Sequence, residues 1–193
     1  MITTETERLK YRKMWTEVPA YRVRSPGELL VPYFLRWASW SAGDILLDAG
    51  AGGGKAAIKL QEAGLTVTML DISKEGPAPD AKGIPFIEAC LWELPGNLRA
   101  YDWIYCCDVL EHIPEEKVDL VLGGLANRMI KGAFFQIAMF PSTCNCNGET
   151  LHLTLKSADW WKERLTKYWK VAREEVTSDR RLICLVSELT VDE

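Results

Sequence analysis

The run Asp48-Ala49-Gly50-Ala51-Gly52-Gly53-Gly54-Lys55 is where this sequence first offers chemistry. Glycine admits positive φ and, with no Cβ, lets backbone N–H groups close on a ligand. Three kinds of ligand compete for such a loop. A dinucleotide fingerprint, G-x-G-x-x-G counted from Gly50, places Lys55 at the third glycine. A phosphate-cradling G-x-x-x-x-G-K-[ST] loop ending at Gly54-Lys55 would start at Ala49 and put Ala56 where the Mg²⁺-binding hydroxyl belongs. That reading fails. The spacing that fits is D-x-G-x-G-x-G, through Asp48, Gly50, Gly52 and Gly54. Two histidines, His112 and His152, are the side chains whose ordinary titration falls near neutral pH, and they are the candidates for proton handling. Cys144-Asn145-Cys146 with His152 nearby raises a metal question, but C-x-C is not the usual zinc spacing and no fourth ligand is apparent. No metal is expected.

These residues need elements to position them. Ile45 to Asp48 is a short apolar run entering the glycine cluster, and Lys55 to Glu62 carries Ala56, Ala57, Ile58 and Leu60 before Gly64, which reads as strand, tight loop, helix and C-cap. Further strands are predicted at Leu65 to Asp71, Ile84 to Leu91, Tyr101 to Cys107 and Ala133 to Phe140. Val118, Val121, Leu122, Leu125 and Met129 fall at helical spacing, with the helix starting near Pro114. Gly76-Pro77-Ala78-Pro79 cannot continue a helix, so the connection after the second strand shortens to a turn. Apolar strands alternating with helices imply a parallel sheet covered on both faces. Ser157 is an N-cap for a helix through Trp160, Trp161, Leu165 and Tyr168. Trp169 to Val176 and Arg181 to Leu189 are separated by four residues, too few for a crossover, so they form an antiparallel hairpin.

With the loop and these elements in place, the sequence resembles the class I S-adenosylmethionine-dependent methyltransferases over roughly residues 45–140. Asp71 ends its strand 17 residues after Gly54, as the second motif of that family does. Phe86 to Pro95 is similar to the family's strand-then-L-P segment, and Tyr101-Asp102-Trp103-Ile104-Tyr105-Cys106-Cys107-Asp108-Val109-Leu110-Glu111-His112-Ile113 to its F-D-x-I…D-V-L-E-H-I stretch. The resemblance implies an α/β fold, a doubly wound Rossmann-like sheet of seven mostly parallel strands with a C-terminal antiparallel hairpin. It implies S-adenosylmethionine as cofactor, with Asp48, Gly50, Gly52 and Gly54 at the cradle and Asp71 accepting both ribose hydroxyls. Cys90 stands where many members carry an Asp for the adenine amino group, so adenine would rest on the Leu91 backbone and on Ile72 and Trp92. Cys107 and Asp108 would lie beside the methionine part. Tyr21 and Arg24 would contact the methionine carboxylate or an anionic substrate, on an N-terminal helical lid over residues 1–40 that closes a core over 41–193. His112 and His152 would serve as general base or substrate orienter. The N/D-P-P-Y/F signature of nucleobase amine methylation is absent, since that place reads Cys107-Asp108-Val109-Leu110.

The chain as a whole agrees with a single domain over 1–193 acting on a small molecule at O, N or C. At 193 residues, 48% hydrophobic and 26% charged, it supports a core without staples. Its net charge of −4 and pI near 5.4 disfavour nucleic acid, and Arg8, Lys10, Arg12, Lys13, Arg22 and Arg24 read as a solvated helix face. Cys90, Cys106, Cys107, Cys144, Cys146 and Cys184 show no disulfide framework. No apolar run is long enough for a bilayer and no signal peptide is visible, so a cytoplasmic address is expected. Eight tryptophans leave room for a homodimer surface. A non-catalytic S-adenosylmethionine-binding or scaffold protein is the alternative, and a nicotinamide dehydrogenase is disfavoured by Lys55.

Overall fold

The computed structural model describes residues 2–23, 25–146 and 148–189. Three helices come first: α1 (Thr4–Glu17), α2 (Pro19–Val23) and α3 (Pro26–Trp37). There follow β1 (Ile45–Ala49), α4 (Lys55–Glu62), β2 (Thr66–Asp71), β3 (Phe86–Glu88), β4 (Tyr101–Cys107), α5 (Glu115–Ala126) and β5 (Met129–Ala138). A two-residue ribbon, β6 (Asn145–Cys146) with β7 (Glu149–Thr150), precedes α6 (Ala158–Thr166), β8 (Trp169–Val176) and β9 (Arg181–Leu189). The main sheet has seven strands in the order β3-β2-β1-β4-β5-β9-β8. β1 to β5 run parallel, whereas β9 pairs antiparallel with both β5 and β8. The Rossmann-like sheet with a terminal hairpin is therefore present. Its order reverses between β1 and β4, which opens a crevice at their carboxyl ends.

Period-2 alternation sends neighbouring side chains to opposite layers. Phe134 joins Phe34, Trp103 and Tyr105 under α3 and α4, while Phe135 joins Trp161, Val121 and Leu125 under α5 and α6. Phe34 meets Trp103, Tyr105 and Phe134 edge-to-face, with ring centroids 5.7, 5.8 and 6.0 Å away. Five of the eight tryptophans are buried, and Trp37, Trp40 and Trp160 are half-buried. No helix among them is long and apolar enough to cross a membrane. All six cysteines are free thiols.

Several boundaries differ from the sequence reading: β2 starts at Thr66, β5 ends at Ala138 rather than Phe140, and three larger shifts follow. Met129 opens β5 rather than closing α5, because Arg128 turns back on Leu125 and its carbonyl accepts from Tyr101, which seats Met129 opposite Tyr101. The third strand shrinks to Phe86–Glu88, and Leu91–Glu93 is a 3₁₀ turn that buries Leu91 and Trp92. Helix α6 stops at Thr166, because Tyr168 leaves to donate its hydroxyl to the Asp119 carbonyl at 2.9 Å. Ser157 does cap α6, accepting from Trp160 N at 3.3 Å. Ser157→Ala is expected to lower the unfolding free energy by about 1 kcal/mol. A urea midpoint shift at constant slope would show it, and an unchanged midpoint would deny the cap any role.

Candidate functional site

The glycine loop leaves β1 and is clasped by β2. Gly50 and Ala51 donate to the Leu70 carbonyl at 2.7 and 3.0 Å, and Gly52 donates to Asp71 Oδ2 at 2.9 Å. The other Asp71 oxygen accepts from Ser73 N at 3.1 Å. Gly50, Gly52 and Gly54 all lie at positive φ (81, 52 and 78°). A Cβ at Gly54 would sit 2.8 Å from Ala81 Cβ and from Met69 Sδ, so its glycine serves packing and the start of α4. Gly50 and Gly52 face a cavity.

That cavity has Asp71, Ile72, Cys90, Leu91 and Trp92 on one side and Tyr11, Trp15 and Tyr21 of the N-terminal helices on the other. Trp92 lines the cavity and is 8% exposed within the main core. Its indole N–H donates to Thr4 Oγ1 at 2.9 Å, which ties α1 to the rim. The Arg12–Glu75 pair at 3.3 Å and the bond from Ser73 Oγ to Glu75 at 2.9 Å fasten α1 to the segment after β2. Arg22 donates to the Trp15 carbonyl. Arg24 lies outside the described residues.

A second cavity adjoins the first and shares Trp15, Tyr21, Gly50, Gly52, Asp108 and His112 with it. Its further walls include Asp48, Cys107, Phe140, Ser142, Cys144, His152 and Arg181. Asp108, at φ 61°, and His112 thus stand where the two spaces meet. Asp48 is 3% exposed, and its Oδ2 has no hydrogen-bond partner among the described residues. Burial, reinforced by the charge of Asp71, pushes its carboxyl up to about 7. Burial likewise lifts Asp71 to about 6, against the opposing bonds from Gly52, Ser73 and Ile72.

His112 is half-buried. Its Nδ1 lies 2.7 Å from the Tyr11 hydroxyl, and its ring stands edge-to-face with His152 at 4.7 Å. Burial, then His152 and Lys10, push its pKa down to about 3, so it is a neutral imidazole at pH 7. His152 is 6% exposed and holds its Nδ1 2.5 Å from the Phe140 carbonyl. The two candidate histidines, 40 residues apart in sequence, therefore meet at one corner. They meet because the Glu111 carbonyl accepts from Leu153 N and Thr154 N at 2.8 and 3.0 Å, while Thr154 Oγ1 donates to the Ile113 carbonyl at 2.7 Å.

Sequence reasoning assigned no site role to Glu111 or Arg181. Glu111 stands next to His112 and is fully buried; burial and the charge of Asp108 hold its carboxyl well above the usual range. Arg181 opens β9, with its guanidinium 5.2 Å over the Phe140 ring and paired to Asp179. Only Glu111 carried a signal, its place in the quoted motif stretch. The cysteine pair is not where His152 finds partners: Cys146 packs with Met14 and Leu151, and among the described residues the group that brings ligand atoms within 4.8 Å of one another is Glu111, His112 and His152.

Comparison with known proteins adds to this geometry. Residues 15–190 match a family described as a methyltransferase domain. A ubiquinone biosynthesis O-methyltransferase from Vibrio parahaemolyticus is 32% identical over 96 residues, covering 45% of this chain and 40% of that protein. Its counterpart from Bordetella bronchiseptica is 29% identical over 106 residues, covering 47% and 42%. The match thus spans about two-fifths of the length of these curated relatives. Among solved structures, magnesium protoporphyrin IX methyltransferase from Synechocystis with bound S-adenosylmethionine superposes with a TM-score of 0.71 at 19% identity, over 97% of this chain and 99% of that one. An N-methyltransferase from Bradyrhizobium japonicum in complex with S-adenosyl-L-homocysteine gives 0.68 at 14% identity, over 96% and 98%. At these identities the likeness concerns the fold.

Proposed function

The chain belongs to the methyltransferase-domain family matched over residues 15–190, and from that premise we propose that it transfers the methyl group of S-adenosylmethionine to a small-molecule acceptor, an oxygen nucleophile before others. The observation that supports this most is the Asp71 carboxylate, which secures the Gly52 N–H and still faces a cavity that runs on past Asp108 and His112 into a second one. The cradle fits the cofactor: Asp71 is held by the Gly52 and Ser73 N–H groups and still lines the cavity, where its remaining acceptor capacity suits ribose hydroxyls. Ile72, Leu91 and Trp92 would enclose the adenine, with Cys90 among them, and Tyr21, Cys107 and Asp108 would border the methionine end. When bound, the sulfonium supplies the methyl group and the leaving group, so the chain's part is alignment and exclusion of water.

The preference for oxygen rests on the O-methyltransferase names of the curated relatives. A small acceptor is supported by the closed N-terminal cover and by its charge pairing. Arg8, Lys10, Arg12 and Lys13 each contact a carboxylate (Glu5, Glu7, Glu75 and Glu17), which leaves little free positive charge there for phosphates. We place the protein in the cytoplasm by the same reading. Incubation with S-adenosylmethionine and a panel of phenols, catechols, amines and carboxylic acids is expected to release S-adenosylhomocysteine with at least one hydroxyl-bearing acceptor. Binding without any turnover across the panel favours the non-catalytic alternative. A thermal shift with NAD and none with S-adenosylmethionine overturns both.

A further inference from the structure

The corner formed by the Leu110–His112 turn and residues 151–154 holds more chemistry than a cofactor cradle uses. Glu111 is 0% exposed. Its Oε1 accepts from Ala138 N at 2.7 Å, but its Oε2 has no hydrogen-bond partner among the described residues. A buried carboxylate oxygen left unpaired costs about 1–3 kcal/mol or more, so this atom calls for a donor or a cation. Two imidazoles stand next to it. A carbonyl can only accept, so His152 donates its Nδ1–H to Phe140 O at 2.5 Å and turns an Nε2 lone pair outward. That outer bond is the device by which metal-bound histidines are oriented. The Tyr11 hydroxyl of α1 pairs with the Nδ1 of His112 at 2.7 Å, a contact in which either group can donate. The Leu151 carbonyl also lies beside His112.

We propose that Glu111, His112 and His152 bind one divalent transition-metal ion of the zinc type. Two imidazole nitrogens and one carboxylate oxygen suit zinc and its neighbours better than magnesium or calcium, which take oxygen ligands. One ligand atom from each residue lies within 4.8 Å of the others. Tetrahedral ligands about 2.0–2.2 Å from a metal stand about 3.4 Å apart, so side-chain adjustments of about 1 Å close the site. Three protein ligands leave a position open, and both histidines line the cavity beyond the glycine loop. On the methyl-transfer reading above, that open position would hold the acceptor's hydroxyl oxygen and lower its pKa, the proton leaving to solvent water. The second half rests on that reading; the metal site does not.

The full chain, freed of metal by chelator and dialysis, is titrated with Co²⁺ at neutral pH and followed by visible absorption. One Co²⁺ per chain is expected, with d–d bands and no thiolate-to-cobalt charge-transfer band. His152→Gln and Glu111→Gln should each weaken binding at least about tenfold. A retained thermal shift with S-adenosylmethionine in His152→Gln shows that the variant is folded. Cys144→Ser should leave the cobalt spectrum unchanged. The site is overturned by the absence of one-to-one binding, by binding that survives both ligand variants, or by a thiolate band that vanishes in Cys144→Ser. One bound Co²⁺ in a chain with no response to S-adenosylmethionine upholds the metal site and sinks the methyl-transfer reading instead.

Discussion

Asp71→Ala is expected to weaken S-adenosylmethionine binding by about a hundredfold, or about 3 kcal/mol. Two charge-assisted bonds to ribose hydroxyls supply most of that, each worth about 1.5–3 kcal/mol at best. The rest comes from the loop, because the Gly52 and Ser73 N–H groups lose their acceptor. Asp71→Asn keeps the shape and one acceptor oxygen, and should fall between the two. Calorimetric titration reads the series directly, and equal affinities in all three proteins would remove Asp71 from the site. The same carboxylate sets a pH dependence. It faces Asp48 below and Tyr11 and Tyr21 from the cover, and in the free chain burial lifts it to about 6. The ionised form is the better acceptor for hydroxyls. Affinity should therefore be full above pH 6 and decline as pH falls below it, with the decline absent in Asp71→Ala. For the free chain the sign is opposite. A folded value above the unfolded 3.8 means the native state holds the proton more tightly, so this group's contribution to stability falls as pH rises from about 4 to about 6.

Gly50→Val is the second large expected effect, and it acts through the backbone. Gly50 sits at φ 81°, where a β-branched residue is strained by about 1–2 kcal/mol. A Cβ there would lie 2.4 Å from Val109 Cγ2 and 2.8 Å from Val109 Cγ1. Val109 is short and stiff, so it cannot swing aside as a lysine tip would, and the overpacking adds about 1–3 kcal/mol. The loop and the Asp108–His112 segment interlock at this contact, so the variant should lose about 2–5 kcal/mol of stability together with its response to S-adenosylmethionine. Gly53→Ala is the control, since a Cβ there meets nothing within 4 Å and its φ is not positive. Denaturant midpoints that are alike for Gly50→Val and Gly53→Ala would count against the interlocking.

Much of this molecule is legible along the chain because the governing interactions are local. The glycine spacing after Asp48 and the acid ending β2 follow from what a tight strand-to-helix turn allows. The hairpin of β8 and β9 follows from a four-residue connection, and the Ser157 cap from one side chain and one N–H group. The larger boundary shifts at Met129 and Tyr168 are decided by distant partners. Met129 becomes strand because Tyr101 waits for it, and Tyr168 leaves its helix for the Asp119 carbonyl.

By itself, then, the sequence determined the layered sheet, the glycine cradle and the identity of both histidines, since spacing and periodicity govern those. It could not say that the histidines share a corner, or that Glu111 lies buried beside them with an unpaired oxygen. Nor could it say that Tyr11, a hundred residues upstream, reaches His112. These depend on the chain returning over the carboxyl end of the sheet and docking residues 151–154 on the Glu111 carbonyl. A contact between segments so far apart leaves no period in the sequence. Only the closing of the tertiary structure, which excludes water from that corner, turns ordinary polar residues into a site.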